Sequence, residues 1–265
     1  GERPDRFSPS CVRVESDMAA GYSSDRDQVV SDLVIANHIL HARAIVDGFG
    51  HVSARHPDIP DRFLLSRNRA PALVEAADIL EYDMDGAPTD PDHPPVYLER
   101  FIHAAIFRAR PEVGAVVHSH ARSVIPFATA KGASLQPLSH MASFLGEGCP
   151  CYEIRDSAGP ASDLLIRDNR LADDLAGVMG DAPVVLMRGH GYTAVGRDVR
   201  QAVFRAVYTE WNAGIQMDTM KLGEPIFMTP EEAAASAAAN DSQITRAWDY
   251  WAREAETAHP APGSS

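Results

Sequence analysis

The sequence predicts an α/β protein in which helices lie on both sides of a sheet. Helical segments bracket a run of short apolar segments that end at turn residues, a pattern typical of strands between helices. Apolar residues make up 45% and charged residues 23% of the 265 residues, which excludes a disordered or fibrous chain. We expect one domain over residues 23–258, an extended arm over residues 1–22 and a frayed tail over residues 259–265.

In the first half of the chain, caps and breaks in periodicity predict the elements. Apolar residues recur at helical spacing over residues 25–45, behind Ser24 as an N-cap, and glycines then end this helix. The segments that follow predict strands at His51–Arg55, Arg62–Ser66 and Ile79–Asp83. Next come a helix over Leu98–Arg110, which stops before a proline, and a buried strand over Val113–His118.

The second half continues the same alternation. It predicts a helix over Leu171–Met179, a strand over Pro183–Met187 and a strand over Thr193–Gly196 that closes a hairpin. Asp198 caps a long helix that extends to about Leu222. Thr229 and Glu232 form a capping box that opens one C-terminal helix to about Ala255.

Charge and composition narrow the function classes. The 24 basic and 37 acidic residues give a formal net charge of −13, which disfavours binding to nucleic acid or to an anionic membrane surface. No apolar run reaches the length of a spanning helix, and the first residues lack the apolar core of a secretion signal. The 3 cysteines are too few for a disulfide framework. We expect a cytoplasmic protein with no membrane or nucleic-acid partner.

Two histidine motifs and one glutamate lie at the ends of the expected elements. His118 and His120 flank Ser119 at the end of a strand, where residues i and i+2 point to the same face and can bind one ion. His190 lies between two glycines after another strand, and Glu99 begins a helix. Each motif alone also fits a structural role. Together, three imidazoles and one carboxylate suit one Zn²⁺, Mn²⁺ or Fe²⁺ ion per subunit.

The chain resembles the class II aldolase/adducin family, the fold of fuculose-phosphate aldolase. The matching segments are Asp47-Gly-Phe-Gly-His-Val-Ser-Ala-Arg55, Glu99 with His103, Arg110-Pro-Glu-Val-Gly-Ala-Val-Val-His-Ser-His120 and Gly189-His-Gly191. The resemblance implies a three-layer αβα domain with a mainly antiparallel central sheet, and a homotetramer with sites at subunit interfaces. It also implies a divalent metal on His118, His120 and His190, with Glu99 as an acid/base that can enter the metal shell.

The substrate pocket departs from the sugar-phosphate pattern of the family's aldolases. Their Gly-Asn-Val-Ser loop becomes Gly50-His-Val-Ser53, and the Ser-Ser pair before the acid becomes Tyr97-Leu98. Their Thr-Gly turn becomes Ser66–Pro71, whose two arginines suit a carboxylate. These changes resemble the decarboxylase branch, which includes enzymes of hydroxylated pyridine or phthalate dicarboxylates. The substrate-binding candidates are therefore Ser53, Ser66, Arg67, Arg69, His103, His140 and Tyr192. For the last two, a structural role is the competing interpretation.

The resemblance favours a metal-dependent carbon–carbon lyase that decarboxylates an aromatic or heteroaromatic hydroxy-(di)carboxylate. Glu99 or His51 would protonate the carbanion, and the sequence does not decide between them. One alternative is a metal-dependent aldolase or epimerase of a sugar or sugar acid, which bound phosphate near Ser53 and Ser66 would favour. Another is a non-haem iron oxygenase of the aminocoumarin-pathway type. A non-catalytic, adducin-like interaction domain is disfavoured by the three histidines.

Overall fold

A computed structural model describes residues 25–258 of the chain. The expected arm over residues 1–22, the Ser24 cap and the tail over residues 259–265 lie outside the described residues. The strands are β1 (His51–Arg55), β2 (Arg62–Ser66), β3 (Ile79–Asp83), β4 (Ala115–Ser119), β5 (Cys151–Tyr152), β6 (Val184–Met187) and β7 (Gly191–Gly196). The α-helices are α1 (Asp25–Ala42), α2 (Arg100–Ala109), α3 (Ile125–Thr129), α4 (Ile154–Ala158), α5 (Asn169–Met179), α6 (Val199–Leu222), α7 (Pro230–Asp241) and α8 (Ile244–Ala258).

The strands of the described region form one sheet in the order β3-β2-β1-β4-β7-β6-β5. Every neighbouring pair is antiparallel except β5 with β6. In the centre of the sheet, His51 on β1 pairs with His118 on β4, and His118 pairs with Thr193 on β7. This register places three polar side chains side by side on one face of the sheet.

Each face of the sheet buries its own core, because successive strand residues point to opposite sides. Val52, Val117 and Ala194 belong to the core that also includes residues of α1, α6 and α8. Val116, Val185 and Val195 belong to the core shared with α2 and α5. The expected three-layer αβα arrangement with a mainly antiparallel sheet is therefore confirmed. None of the described helices is long and apolar enough to cross a membrane.

The bounds of the first three strands and the Asp198 cap are confirmed. One continuous C-terminal helix was expected, and this is wrong, because the chain turns between α7 and α8, where the Gln243 N–H donates to the Asn240 carbonyl. The turn lets α7 pack on the 3₁₀ segment His140–Leu145 while α8 packs on α1. The capping box of Thr229 and Glu232 forms as expected.

Candidate active site

Three histidines from separate segments converge at one end of the central strands. His118 belongs to β4, His120 follows it directly, and His190 lies in the turn between β6 and β7. The Nε2 atom of His118 lies 3.0 Å from that of His120 and 3.3 Å from that of His190. The Nε2 atoms of His120 and His190 are 2.9 Å apart. The three ring nitrogens thus surround a single point.

Gly191 allows this convergence by bringing β7 close to the end of β4. A Cβ atom at Gly191 would lie 2.0 Å from the Ser119 carbonyl oxygen, a separation that no side chain tolerates. Gly50, in the segment before β1, has a φ of 95°, which residues other than glycine rarely adopt, and a Cβ atom there would lie 3.0 Å from the His118 carbonyl oxygen. These two glycines are therefore required by the backbone packing around His118.

The hydrogen bonds of two histidines direct the lone pairs of their Nε2 atoms inward. The His190 Nδ1–H donates to the Leu164 carbonyl at 2.8 Å, which leaves Nε2 unprotonated in the neutral ring. His118 Nδ1 lies 3.3 Å from the hydroxyl of Thr193, which itself donates to the Met187 sulfur, so this Nδ1 is also the donor. Such partners orient metal-binding histidines in proteins.

Glu99 completes this group from the N-cap of α2. Its Oε2 lies 3.3 Å from His190 Nε2 and 3.7 Å from His118 Nε2. Its Oε1 accepts a hydrogen bond of 2.9 Å from the Ile166 N–H, which fixes the carboxylate. Donor atoms of the four residues all lie within 4.8 Å of one another.

The donor set fits a divalent metal. Two ligands about 2.0–2.1 Å from one ion, at angles of about 90–110°, lie about 2.9–3.4 Å apart. The three separations between the Nε2 atoms, 2.9, 3.0 and 3.3 Å, match this range. Neutral imidazoles and a carboxylate suit Zn²⁺, Mn²⁺ and Fe²⁺ alike.

Burial and mutual proximity control the protonation of these histidines. Burial, with the neighbouring His190 and His120 rings, holds the pKa of His118 well below its ordinary value. Burial and His190 also lower the pKa of His120. Burial acts against protonation of His190 too, but the hydrogen bond and charge of Glu99 outweigh it and raise the pKa. The carboxylate therefore interacts most strongly with His190.

A second polar group lies beside these residues. His51 Nδ1 is 2.6 Å from His103 Nε2, and His103 Nδ1 is 2.5 Å from the Ser53 hydroxyl. All three side chains are buried, and the His51 ring packs between the rings of Tyr97 and His118 at centroid distances of 4.7 and 5.1 Å. The structure thus brings His51, His103 and Ser53 together in one hydrogen-bonded chain, next to the candidate metal site.

A cavity of about 270 Å³ opens beside both groups. Glu99, His120 and His51 contribute polar atoms to its wall, and its remaining lining is Gly48, Phe49, Gly50, Asn68, Tyr97, Leu98 and Leu165. Sequence reasoning missed Phe49, Asn68 and Leu165. Phe49 and Asn68 lie inside motifs that were singled out, whereas no local signal marks Leu165, which comes from a loop distant in sequence.

The structure does not place Arg67 and Arg69 in the lining of this cavity. Arg67 Nε donates to Asp78 Oδ1 at 2.5 Å, and Arg69 Nη1 donates to the same oxygen at 3.1 Å. Asp78 is buried and also accepts from the Glu75 N–H. Burial acts against ionisation of Asp78, but the bonds from Arg67, Glu75 and Arg69 prevail and lower its pKa. Asn68, between the two arginines, faces the cavity instead.

Ser66 is also engaged internally. Its hydroxyl donates to the Arg67 carbonyl at 2.8 Å and lies 3.1 Å from the Tyr97 hydroxyl, which donates to the Arg69 carbonyl. Burial raises the pKa of the Tyr97 phenol. These bonds hold the segment that carries Asn68 against the cavity wall.

Two expected substrate-binding residues lie elsewhere. Tyr192 is fully buried in the core beneath α6, where its hydroxyl donates to the Ala206 carbonyl at 2.7 Å. The strand alternation turns Tyr192 to the opposite face of the sheet from Thr193 and His118. His140 is exposed and lines a different cavity, with Tyr208 and Trp251. Within one chain, over the described residues 25–258, neither side chain therefore lies at the histidine site.

A protein-family model described as the class II aldolase and adducin N-terminal domain matches residues 31–217. The chain belongs to this family. It is 39% identical over 244 residues to decarboxylase tropJ of Talaromyces stipitatus, with 83% of this chain and 91% of that protein covered. It is 34% identical over 235 residues to a 3,4-dihydroxyphthalate decarboxylase of a Terrabacter species, with the same coverage of 83% and 91%.

A solved structure of an aldolase II superfamily protein from Pseudomonas syringae matches the fold with a TM-score of 0.73. The identity is 23%, and the match covers 90% of this chain and 96% of that chain. Members of the class II aldolase family use a divalent metal and are commonly oligomeric. The chain is accordingly an enzyme of the lyase type, and its relatives support a decarboxylase within this family.

Proposed function

We propose that this chain is a divalent-metal-dependent decarboxylase of an aromatic or heteroaromatic hydroxy-(di)carboxylate. The observation that carries the proposal is the convergence of three histidine Nε2 atoms and the Glu99 carboxylate beside a partly apolar cavity, which His120 and Glu99 line. The named activities of the fungal and Terrabacter relatives agree with it.

In this proposal His118, His120 and His190 hold one Zn²⁺, Mn²⁺ or Fe²⁺ ion, and Glu99 Oε2 is close enough to join them only while the carboxylate is unprotonated. A bound ion acts as a Lewis acid and stabilises the negative charge that develops as CO₂ leaves. The protein contributes the orientation of the imidazoles through Leu164 and Thr193.

Glu99 is the proposed proton donor. When the bond between the ring and the carboxylate breaks, its electron pair stays on the ring carbon, which must then accept a proton. The protonated Glu99 carboxyl delivers that proton from Oε2, while Oε1 remains bonded to the Ile166 amide. Oε2 is the oxygen that faces the histidines. Glu99 also lines the cavity, so its carboxyl is within reach of a substrate bound there.

The size and walls of the cavity suit a single substituted ring. Apolar cavities of about 150 Å³ in proteins hold benzene, and this cavity, at about 270 Å³, leaves space for hydroxyl and carboxylate groups. Phe49, Tyr97 and Leu98 supply apolar surface, while His51, Glu99 and His120 supply polar atoms. An aromatic ring with acidic substituents matches this distribution.

The two serines disfavour a sugar phosphate. Ser53 is bonded to His103, and Ser66 to Arg67 and Tyr97, and both side chains are buried. A phosphate would have to break these bonds to reach either hydroxyl. For a second carboxylate of the substrate, we propose Asn68 as the direct contact, with the positive charges of Arg67 and Arg69 behind it.

A homotetramer with sites at subunit interfaces remains part of the proposal. Phe49 and Leu98, at the cavity, expose 71% and 41% of their surface, which a neighbouring subunit would cover. Such a protein would act in the cytoplasm on a small carboxylate.

The test combines metal analysis with product detection. The protein is purified without chelators, its metal content is measured, and CO₂ release is followed with a panel that includes 3,4-dihydroxyphthalate and hydroxypyridine dicarboxylates. We expect one divalent ion per subunit and release of one CO₂ per substrate. Aldol cleavage of a sugar phosphate, or stoichiometric oxygen uptake with Fe²⁺, would contradict the proposal.

A further inference from the structure

Ser53, His103 and His51 form a continuous chain of hydrogen bonds that ends at the cavity. The Ser53 hydroxyl lies 2.5 Å from His103 Nδ1, and His103 Nε2 lies 2.6 Å from His51 Nδ1. His51 lines the cavity, and its Nδ1 is occupied by His103, so Nε2 is the nitrogen left to face a substrate. The direction of the hydrogen bonds therefore decides whether His51 presents a donor or an acceptor.

A neutral imidazole carries one N–H, so only two arrangements of the chain exist. Burial lowers the pKa of His103 to about 3, which keeps this ring neutral. In the first arrangement Ser53 donates to His103, His103 donates to His51, and His51 keeps its proton on Nε2. In the second, both donations are reversed, His51 carries its proton on Nδ1, and His51 Nε2 carries only a lone pair.

The position of Ser53 decides between the two arrangements. Ser53 has no exposed surface, and within residues 25–258 its hydroxyl has no hydrogen-bond partner other than His103. In the reversed arrangement its hydroxyl proton would be buried without an acceptor, which is unfavourable. In the first arrangement every proton of the chain has an acceptor, apart from the one that His51 offers to the cavity.

We infer that Ser53 and His103 are positioning residues that hold His51 as a neutral donor, with its N–H on Nε2 directed at a carboxylate or phenolate oxygen of the substrate. The identity of that oxygen rests on the proposed function, whereas the position of the proton does not. The sequence left open whether His51 or Glu99 protonates the carbanion. The hydrogen bonds from Ser53 through His103 to His51 favour Glu99. If His51 released its Nε2 proton, protons would shift along the hydrogen bonds from His103 and Ser53, and a negative charge would remain on the buried Ser53 oxygen. His51 therefore donates a hydrogen bond and keeps its proton.

Neutron diffraction of deuterium-exchanged crystals tests the inference directly. We expect deuterium on Nε2 of His51 and on Nε2 of His103, with the deuterium of Ser53 directed at His103. Deuterium on His51 Nδ1 would overturn the inference. In Ser53→Ala the bias is removed, and deuterium should be shared between the two nitrogens of His51. If it stayed on Nε2 alone, Ser53 would not be a positioning residue.

Binding of phthalate, measured by calorimetry, provides a second readout. His51→Phe keeps a ring but removes the donor, and it should raise the Kd of phthalate about tenfold or more, because bonds to charged acceptors are strong. His93→Phe, the same substitution at an exposed histidine, is the matched control and should bind as the wild type does. Ser53→Ala, with about half of His51 in the donor form, should raise the Kd about twofold.

The outcomes separate this inference from the proposed function. Deuterium on His51 Nε2 in a protein that releases no CO₂ from the panel would support the tautomer and contradict decarboxylation. Decarboxylation by a protein with deuterium on His51 Nδ1 would support the proposed function and contradict the tautomer. Equal affinity of the wild type and His51→Phe for phthalate would overturn the donor role of His51.

Discussion

Glu99 and His190 approach each other through the one carboxylate oxygen that the backbone leaves free. Oε2 of Glu99 lies 3.3 Å from Nε2 of His190, while Oε1 is held by the Ile166 amide. The opposite side of the His190 ring is held by the Leu164 carbonyl. Both partners of the pair are therefore oriented by the loop that contains Leu164 and Ile166, so the proposed metal site depends on a segment that no sequence motif marks.

Removal of one histidine of the cluster should abolish metal binding. The His118→Ala substitution removes the Nε2 atom that lies 3.0 Å from Nε2 of His120 and 3.3 Å from Nε2 of His190. We expect substoichiometric metal by mass spectrometry and loss of nearly all turnover. His93→Ala, at an exposed position, is the control and should keep both. Full metal content with wild-type turnover in His118→Ala would show that the ion binds elsewhere.

Glu99→Gln tests proton transfer separately from metal retention. The glutamine keeps the size of the side chain, and its amide oxygen can still accept from the Ile166 N–H. The variant lacks a titrating proton, so turnover should fall by roughly 10²–10⁴-fold. Metal content, measured on the same sample, should stay close to that of the wild type. A near-normal rate would assign the proton transfer to another group.

Asp78 should contribute stability that depends on pH. Its pKa is held below the ordinary value, so its bonds to Arg67 and Arg69 stabilise the fold fully above the unfolded pKa of about 3.9. This stabilisation is lost as the pH falls through the folded pKa. Asp78→Asn should therefore lower the free energy of unfolding by about 1–3 kcal/mol at pH 7. The difference in the free energy of unfolding between variant and wild type, measured by urea denaturation, should shrink below about pH 4. A difference that stays constant with pH would contradict this prediction.

Arg67 and Arg69 offer a test of how a second carboxylate is held. Since both guanidiniums are bonded to Asp78, their effect on the cavity acts through Asn68 and through charge. Arg67→Lys keeps the charge, so it should change KM for a hydroxy-dicarboxylate only a few-fold. Asn68→Ala should raise this KM more than the KM for the monocarboxylate analogue. An equal effect on both substrates would remove Asn68 from the proposed anchor.

The apolar surface of α6 should be buried in an assembly. Trp211 and Met220 expose 48% and 56% of their surface, whereas Met217 packs against the core. We expect a tetramer by light scattering at micromolar concentration, and a shift towards smaller species in Trp211→Glu. Asp218→Ala, an exposed position on the same helix, is the control. A monomeric wild-type protein would contradict the proposed assembly.

Most strands and caps could be predicted because their signals are local. The bounds of β1, β2 and β3, the Asp198 cap and the Thr229 capping box depend on residues that are adjacent or nearly adjacent in the chain. The single C-terminal helix was wrong because the turn at Ser242–Gln243 contains neither glycine nor proline. The fold there is decided by packing of α7 and α8 on different partners.

The sequence by itself determined the motifs of the site, because spacing within one strand or one turn places His118, His120 and His190 at element ends. Only the tertiary structure decided which of the other polar residues join them. Strand register turned Tyr192 away and brought Ser53 and His51 to His103. Arg67 and Arg69 were bonded to Asp78, a residue that no motif marks. These contacts join segments that are distant in the sequence. Which side chains meet depends on how the sheet and the helices pack, and local sequence patterns do not encode that packing.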